Sequence, residues 1–434
     1  MCLHSHLWRP RRGRHGVLLA FALTLAGPGA VRAQADAQIL ELPDAVAQAL
    51  AQSPSLQVFV PRLSALDGKR FTAGQAPAYE LGLQVEDALG SGTLSGVDGA
   101  EYTLSLSSVI ELGNKRDARV QAATGRYALV EAERRAQALD LLGAVTRGFI
   151  AALALQERLA LAAEALELAA SAHVIVRERA DRGAAPQAEV LRARAHETQS
   201  RLEQDRLRAA HASSLMALAN LLGRESAGFA RVHGDLYAFT TPGPFPDLFE
   251  RALESPGIRV FASEERLREA ELALVRSQSR SDVRWQLGAR YAERPGDAAL
   301  VAGVSAPLRS GVRNRGEVQA ALAARDEVGW QRERALLALR SRLHEAYRLH
   351  QHGVTTVDTL QQEVLPDLRE ALELTRAAYE QGRYGFVEWQ TAQRELLSAR
   401  QDLVDAATSA LLNQALIEQL TAQPLSIADG GSVQ

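Results

Sequence analysis

Leu42-Pro-Asp44, followed by Ala49-Leu50 and Ser53-Pro54, returns about two hundred residues later as Phe245-Pro-Asp247, Ala252-Leu253 and Ser255-Pro256. Two further blocks keep the same spacing. Gly113 with Val120-Gln-Ala-Ala123 matches Gly311 with Val318-Gln-Ala-Ala321. Arg177, Gly183, Glu189, Ala193 and Arg201 match Arg376, Gly382, Glu388, Ala392 and Arg400. A nearly constant register over three separated blocks marks an internal duplication, and so the fold is read as one unit used twice.

Within each unit the pattern predicts helix, strand, hairpin loop, strand, very long helix, tight turn and helix. Tyr79, Leu81, Leu83 and Val85 alternate with Glu80, Gly82, Gln84 and Glu86, a period of two that gives a strand one apolar and one polar face. Tyr102, Leu104 and Leu106 do the same against Thr103, Ser105 and Ser107. The second unit supplies Val283, Trp285, Leu287, Ala289 and Tyr291 against Arg284, Gln286, Gly288 and Arg290, with a fourth strand at 300–308. The loop Gly90–Gly99 is longer than the loop through Arg294-Pro-Gly-Asp297, which accounts for the drift in offset.

No proline interrupts 115–182, where Ala, Leu, Arg and Glu dominate. Such a helix rises about 100 Å, too long for a globular core to bury, so it must pack laterally on other helices. Its counterpart at 313–381 contains Gly353 and Pro366, and a kink or break is expected there. The resulting division is 1–33 as a leader, 34–222 as the first unit (strands 79–88 and 101–110, helices 115–182 and 186–222), and 223–244 as an equatorial linker. The second unit then occupies 245–422 (strands 283–291 and 300–308, helices 313–381 and 386–422), leaving 423–434 as a tail.

Arg9, Arg11, Arg12 and Arg14 precede a short apolar run, Val17–Leu25, and a small-residue site at Val31-Arg-Ala33. This is the pattern of a general secretory signal, with cleavage after Ala33 or Ala35, and its apolar run is too short to span a bilayer. The sole cysteine, Cys2, lies before that run, where it serves neither as a lipoprotein anchor nor in a mature disulfide. No later segment reaches eighteen uninterrupted apolar residues, so any membrane crossing falls to β-strands. The chain has 434 residues, 47% of them hydrophobic and 23% charged, and a net charge of -3, which gives no footprint for nucleic acid.

An apolar outer face with Tyr and Trp near its ends, over a polar inner face, is the pattern of a membrane β-barrel. Four strands cannot close one, and lipid does not tolerate open sheet edges. Two chains give eight strands with a side-chain-filled interior; three give twelve and room for a channel. A trimer is expected.

The order of elements and the duplication resemble the TolC-like outer-membrane efflux proteins over essentially the whole mature chain. Val85-Glu-Asp-Ala-Leu-Gly-Ser-Gly92 and Leu104-Ser-Leu-Ser-Ser-Val-Ile-Glu-Leu-Gly-Asn-Lys-Arg116 are similar to the cobalt–zinc–cadmium branch of that family. The resemblance implies a mainly α fold with a small β part. Three chains would form a helical barrel in the periplasm and a twelve-stranded barrel, four strands per chain, set in outer-membrane lipid. It also implies a passive exit duct for heavy-metal cations, with no enzymatic activity and no cofactor. Its partners would be a periplasmic adaptor and an inner-membrane pump of the resistance-nodulation-division type. Rival readings are a multidrug or type I secretion duct of the same fold, and a soluble periplasmic coiled-coil scaffold.

Gly183 in Asp181-Arg-Gly-Ala-Ala-Pro186 and Gly382 in Glu380-Gln-Gly-Arg-Tyr-Gly385 occupy equivalent turns between paired helices. Glycine suits a left-handed helix end, and Pro186 suits the start of the next helix. The resemblance adds that these turns are periplasmic tips, with Arg182, Gly183, Gly382, Arg383 and Tyr384 meeting the adaptor. It also implies that Glu388 forms a ring of three carboxylates at the tunnel mouth, able to filter cations; Thr391 stands where a second acid would sit. His344, His350 and His352 have spacings that do not share one helical face, so no metal site is expected from them. Catalytic motifs are absent: the sequence holds no nucleophile elbow, phosphate loop or zinc-binding His-Glu-x-x-His.

Overall fold

A computed structural model describes residues 38–424 apart from 93–95 and 309. The leader 1–33 and the tail beyond residue 424 lie outside the described residues. The first unit runs through α1 (Leu42–Gln52), α2 (Pro54–Gln57), α3 (Phe59–Ala73), β2 (Glu80–Glu86), β3 (Glu101–Ile110), α4 (Lys115–Asp181) and α5 (Gln187–Leu221). The second runs through α6 (Phe245–Leu253), α7 (Pro256–Gln278), β5 (Val283–Ala292), β6 (Asp297–Ser305), α8 (Ser310–Arg313), α9 (Arg315–Thr359), α10 (Leu365–Glu380) and α11 (Phe386–Leu420). The fourth strand therefore starts at Asp297, three residues before the expected position, because the turn at Arg294-Pro-Gly296 is tight: the Gly296 N–H returns to the Ala292 carbonyl at 3.0 Å.

The long helices behave differently in the two units. α4 is continuous over 67 residues. In the second unit a π-helical turn, Leu360–Val364, separates α9 from α10. Pro366 stands one residue beyond it, after Leu365; a proline lacks the N–H of an α-helical bond and its ring crowds the carbonyl four residues back, and the wider turn relieves both. Gly353, expected to weaken the helix, does not interrupt α9. A Cβ there would lie 3.0 Å from the Ala410 Cβ and 3.2 Å from the Ala406 carbonyl, so this glycine lets α9 and α11 approach closely. One window of α4 is apolar enough on average, by length and composition, to cross a membrane, but it is not an uninterrupted apolar run and half of it is buried inside the chain.

The main core sits at mid-height. Phe149, Ile150, Val145 and Leu153 of α4 are buried there with Ala45 and Ala49 of α1, Leu218 of α5 and Leu411 of α11. A short parallel pair, β1 (Gln38–Glu41) with β4 (Phe229–His233), covers this level. The Gln156 side chain closes the pair's flank: its Nε2 donates to the Val232 carbonyl at 3.0 Å, and its Oε1 accepts from the Val232 N–H at 2.7 Å.

At one end, four strands form an antiparallel sheet in the order β2-β3-β5-β6. Register places Leu81, Leu106, Leu287 and Ala302 in one row, Leu83, Leu104, Ala289 and Leu300 in the next, and Val85, Tyr102, Tyr291 and Ala298 in a third. This face is laid bare: Leu81 is 75% exposed and Leu300 93%. The opposite face is polar and cross-linked by charge. Arg290 reaches Glu101 at 2.7 Å, Glu86 at 3.1 Å and Thr103 at 3.1 Å, and Arg284 reaches Glu80 at 2.7 Å. Asp282 ties sheet to helices, accepting from the Leu112 N–H at 3.1 Å and pairing with the buried Lys115 ammonium at 2.7 Å.

Below the sheet the helices form rows. Packing follows α3–α4–α7–α9 in the upper tier and α5–α4–α11 with α9 and α10 in the lower tier. α3 leads into β2, and β6 leads into α9. One side of the chain therefore carries α3, β2 and α5 as outermost elements, and the other carries α9, β6 and α10.

Candidate functional site

Two helical hairpins end together at the pole opposite the sheet. In the first, the Gly183 N–H bonds the Ala180 carbonyl at 2.9 Å and the Ala184 N–H bonds the Arg179 carbonyl at 2.8 Å. In the second, the Gly382 N–H bonds Tyr379 at 2.9 Å and the Arg383 N–H bonds Ala378 at 2.8 Å. Both are the same left-handed helix-terminating turn, with Gly183 at φ +75 and Gly382 at φ +72, a region costly for residues bearing a Cβ. Arg182, Arg383 and Tyr384 project outward; Tyr384 is 54% exposed, and Arg182 pairs with Glu178 within its own helix.

Arg179, which the sequence analysis did not single out, joins the two turns. Its Nη1 donates to the Tyr379 and Glu380 carbonyls, each at 2.8 Å, at the end of α10. The Tyr379 carbonyl also accepts from the Gly382 N–H, and both carbonyls lie at the negative pole of the helix, so a guanidinium is a favourable cap. Its carbon lies 4.7 Å from the centre of the Tyr379 ring, in cation–π geometry. The Tyr379 ring stacks on Trp389 with centroids 5.2 Å apart, and Phe386 meets both rings edge-on. The Tyr379 hydroxyl donates to Glu189 at 3.1 Å. Burial, reinforced by the nearby Glu189 carboxylate, pushes the phenol up to about 12, so it remains a donor at neutral pH. Tyr379, Phe386 and Trp389 cluster within eleven positions of a chain that is 5% aromatic, and that clustering was the available signal.

The duplicated glutamates thus have different surroundings. Glu189, third residue of α5, is engaged by Tyr379. Glu388, third residue of α11, is exposed and has no side-chain bond among the described residues. Its carboxylate folds towards Gly385, whose added Cβ would lie 2.8 Å from Oε2. One turn on, the Thr391 hydroxyl returns to the Val387 carbonyl at 2.8 Å. An acid in a first helical turn is favoured by the helix dipole in either unit.

The three histidines are not brought together. His344 sits edge-on against Phe245, and His352 is exposed. His350 is buried with Nδ1 3.0 Å from the Ala410 carbonyl and Nε2 3.1 Å from the Thr240 carbonyl, which leaves no ring nitrogen for a metal. No cluster of three metal-ligating side chains occurs among the described residues.

An amphipathic sheet at one pole, a rod of paired helices and a duplicated tip define a subunit of an export channel. The chain belongs to the outer membrane efflux protein family, whose model matches residues 45–224 and 251–423, one segment per repeat. It is therefore a channel component and not an enzyme.

Among its relatives is the cobalt-zinc-cadmium resistance protein CzcC of Cupriavidus metallidurans, 28% identical over 362 residues, with 83% of this chain and 85% of that one covered. Solved structures share the fold. The CusC structure superposes with a TM-score of 0.76 at 16% identity, covering 88% of this chain and 92% of that one. The VceC outer membrane protein of Vibrio cholerae gives a TM-score of 0.72 at 19% identity, with 89% and 97% covered.

Proposed function

We propose that three copies of this chain form a twelve-stranded barrel in the outer membrane and a helical tunnel in the periplasm, serving as the passive exit duct of a tripartite efflux system. A periplasmic adaptor and an inner-membrane pump of the resistance-nodulation-division type complete the system, and heavy-metal cations are the cargo. The observation that carries this reading is the agreement of the open edges. Among the described residues β2 and β6 are unpaired on their outer sides, and the helical tiers end on the same two sides. A chain with two complementary edges assembles head-to-tail, and closure into a ring satisfies every edge at once. The bare apolar sheet face then meets lipid, and the face carrying Arg284 and Arg290 lines the lumen.

The cargo assignment is supported by the resistance named for CzcC. Arg182, Gly183, Gly382, Arg383 and Tyr384 are proposed as adaptor contacts, and Glu388 as the carboxylate ring at the periplasmic mouth. A strain lacking this gene tests the cargo. Sensitivity to cobalt, zinc or cadmium without sensitivity to dyes and antibiotics is the expected outcome; the reverse pattern would assign the duct to drugs.

A further inference from the structure

The long helices of the two units differ by one residue. Near their upper ends, Val318 stands 198 positions after Val120. Near their lower ends, Arg376 stands 199 positions after Arg177, and Gly382 and Glu388 keep that distance from Gly183 and Glu189. α4 runs unbroken between those marks, so the second unit holds one extra residue between Val318 and Arg376. The π-helical turn is where it sits. The Leu365 N–H returns to the Leu360 carbonyl, five residues back, and the five residues Leu360–Val364 stand against four, 162–165, in α4. Unabsorbed, the extra residue would rotate everything below it by about 100°. With it absorbed, Leu365 and Leu372 remain buried and Tyr379 still reaches Arg179.

The same turn is the weakest point of that helix. Pro366 brings no N–H to the carbonyls of Gln361 and Gln362, and Gln361, Gln362 and Glu363 are exposed to water. The chain is held firmly on either side. Above, Gly353 lets α9 close on Ala410 of α11, and the His350 Nδ1 bonds the carbonyl of the same Ala410 at 3.0 Å. Below, the far end of α10 is tied to the first hairpin through Arg179 and through the Tyr379 hydroxyl on Glu189.

Two packed helices joined by a tight turn resist bending because one must slip along the other. At an interaxial distance of about 9 Å, a bend of about 10° requires about 1.6 Å of slip, close to the rise of one residue. α4 and α5 are both continuous and hold no slack of that size. The second hairpin does hold it, in the turn that separates α9 from α10.

Resting on the mouth reading of Glu388 above, we infer that this turn is a slip joint that the first unit lacks. It lets the second hairpin bend at the level of Leu360–Val364 while the first stays straight. The bend carries Arg383, Tyr384 and Glu388 as one body and leaves Gly183 and Glu189 in place, and it requires the Arg179 clasp to open. Each chain therefore offers one fixed tip and one movable tip, and the difference between them is a single inserted residue.

Amide exchange on the oligomer extracted from outer membranes reads the joint without any substitution. Segment 358–368 is expected to exchange at least about tenfold faster than 159–167, the same level of α4. Deleting Gln362 together with Pro366→Ala removes the extra residue and restores the missing N–H, and exchange at this level should fall to that of α4. In planar bilayers the same variant is expected to open at least about threefold less often than the parent, with cation preference unchanged. Equal exchange at the two levels in the parent would overturn the joint, whatever the fate of the variant. A folded deletion variant that opens as often as the parent would also overturn it. A parent that makes no channel would overturn the ring reading instead, and the exchange comparison would still decide the joint.

Discussion

The Arg179 guanidinium donates at 2.8 Å to the Tyr379 carbonyl, so the end of the first long helix caps the end of the second across the internal repeat. The equivalent of Arg179 in the second unit is Ala378, and that of Tyr379 in the first is Ala180. The contact therefore exists because the two units have diverged at this level. It sets the tips level with each other and fixes how the hairpins present their turns.

Replacing Arg179 by Ala removes two charge-assisted bonds and a cation–π contact. A local loss of about 1–3 kcal/mol is expected, reduced by the partial exposure of the group. Amide exchange in 375–390 should accelerate while the mid-height core remains protected. Arg179→Lys should rescue poorly, because one ammonium cannot span two carbonyls with the planar geometry of a guanidinium. Unchanged exchange in the alanine variant would remove the clasp from the account.

Tyr379 gives a pH dependence with a defined sign. Its phenol titrates at 10.0 when unperturbed and is pushed up to about 12 by burial and by Glu189. A raised folded-state value means that the contribution is fully present below pH 10 and is lost as pH rises towards about 12. Tyr379→Phe should therefore show a shallower loss of stability across that interval than the parent. Parallel curves would contradict the assigned environment.

Phe149 is fully buried at mid-height among α1, α4 and α11. Phe149→Ala should destabilise by about 3–5 kcal/mol, read as a lower midpoint in thermal or denaturant unfolding. Gly353→Val should be damaging for the opposite reason. Its side chain would press on Ala406 and Ala410, and the separation of α9 from α11 would have to grow.

Glu388→Gln removes one carboxylate per chain at the proposed mouth. In single-channel recordings, cation preference and block by divalent cations should both weaken. Glu189→Gln should leave them unchanged, since that carboxylate is held by Tyr379. Equal effects of the two substitutions would argue against a distinct role for Glu388.

The duplication, the amphipathic strands and the glycine turns were legible in the sequence because each has a local signature: a repeat offset, a period of two, or a φ that favours glycine. Strand order was not legible, since pairing β3 with β5 joins residues far apart in the chain. Gly353 misled for a related reason. Read locally it lowers helix propensity, whereas in the fold it is the point of closest approach between two helices. Arg179 carried no motif, and its role appears only when the ends of α4 and α10 lie side by side.

The central claim is that the edges of this chain are satisfied by its own copies, three in number. Native mass spectrometry of the protein extracted from outer membranes in mild detergent tests this directly. The account predicts a single assembly of three chains that dissociates to one chain on boiling. A monomer, or a closed assembly of two or four chains, would contradict it.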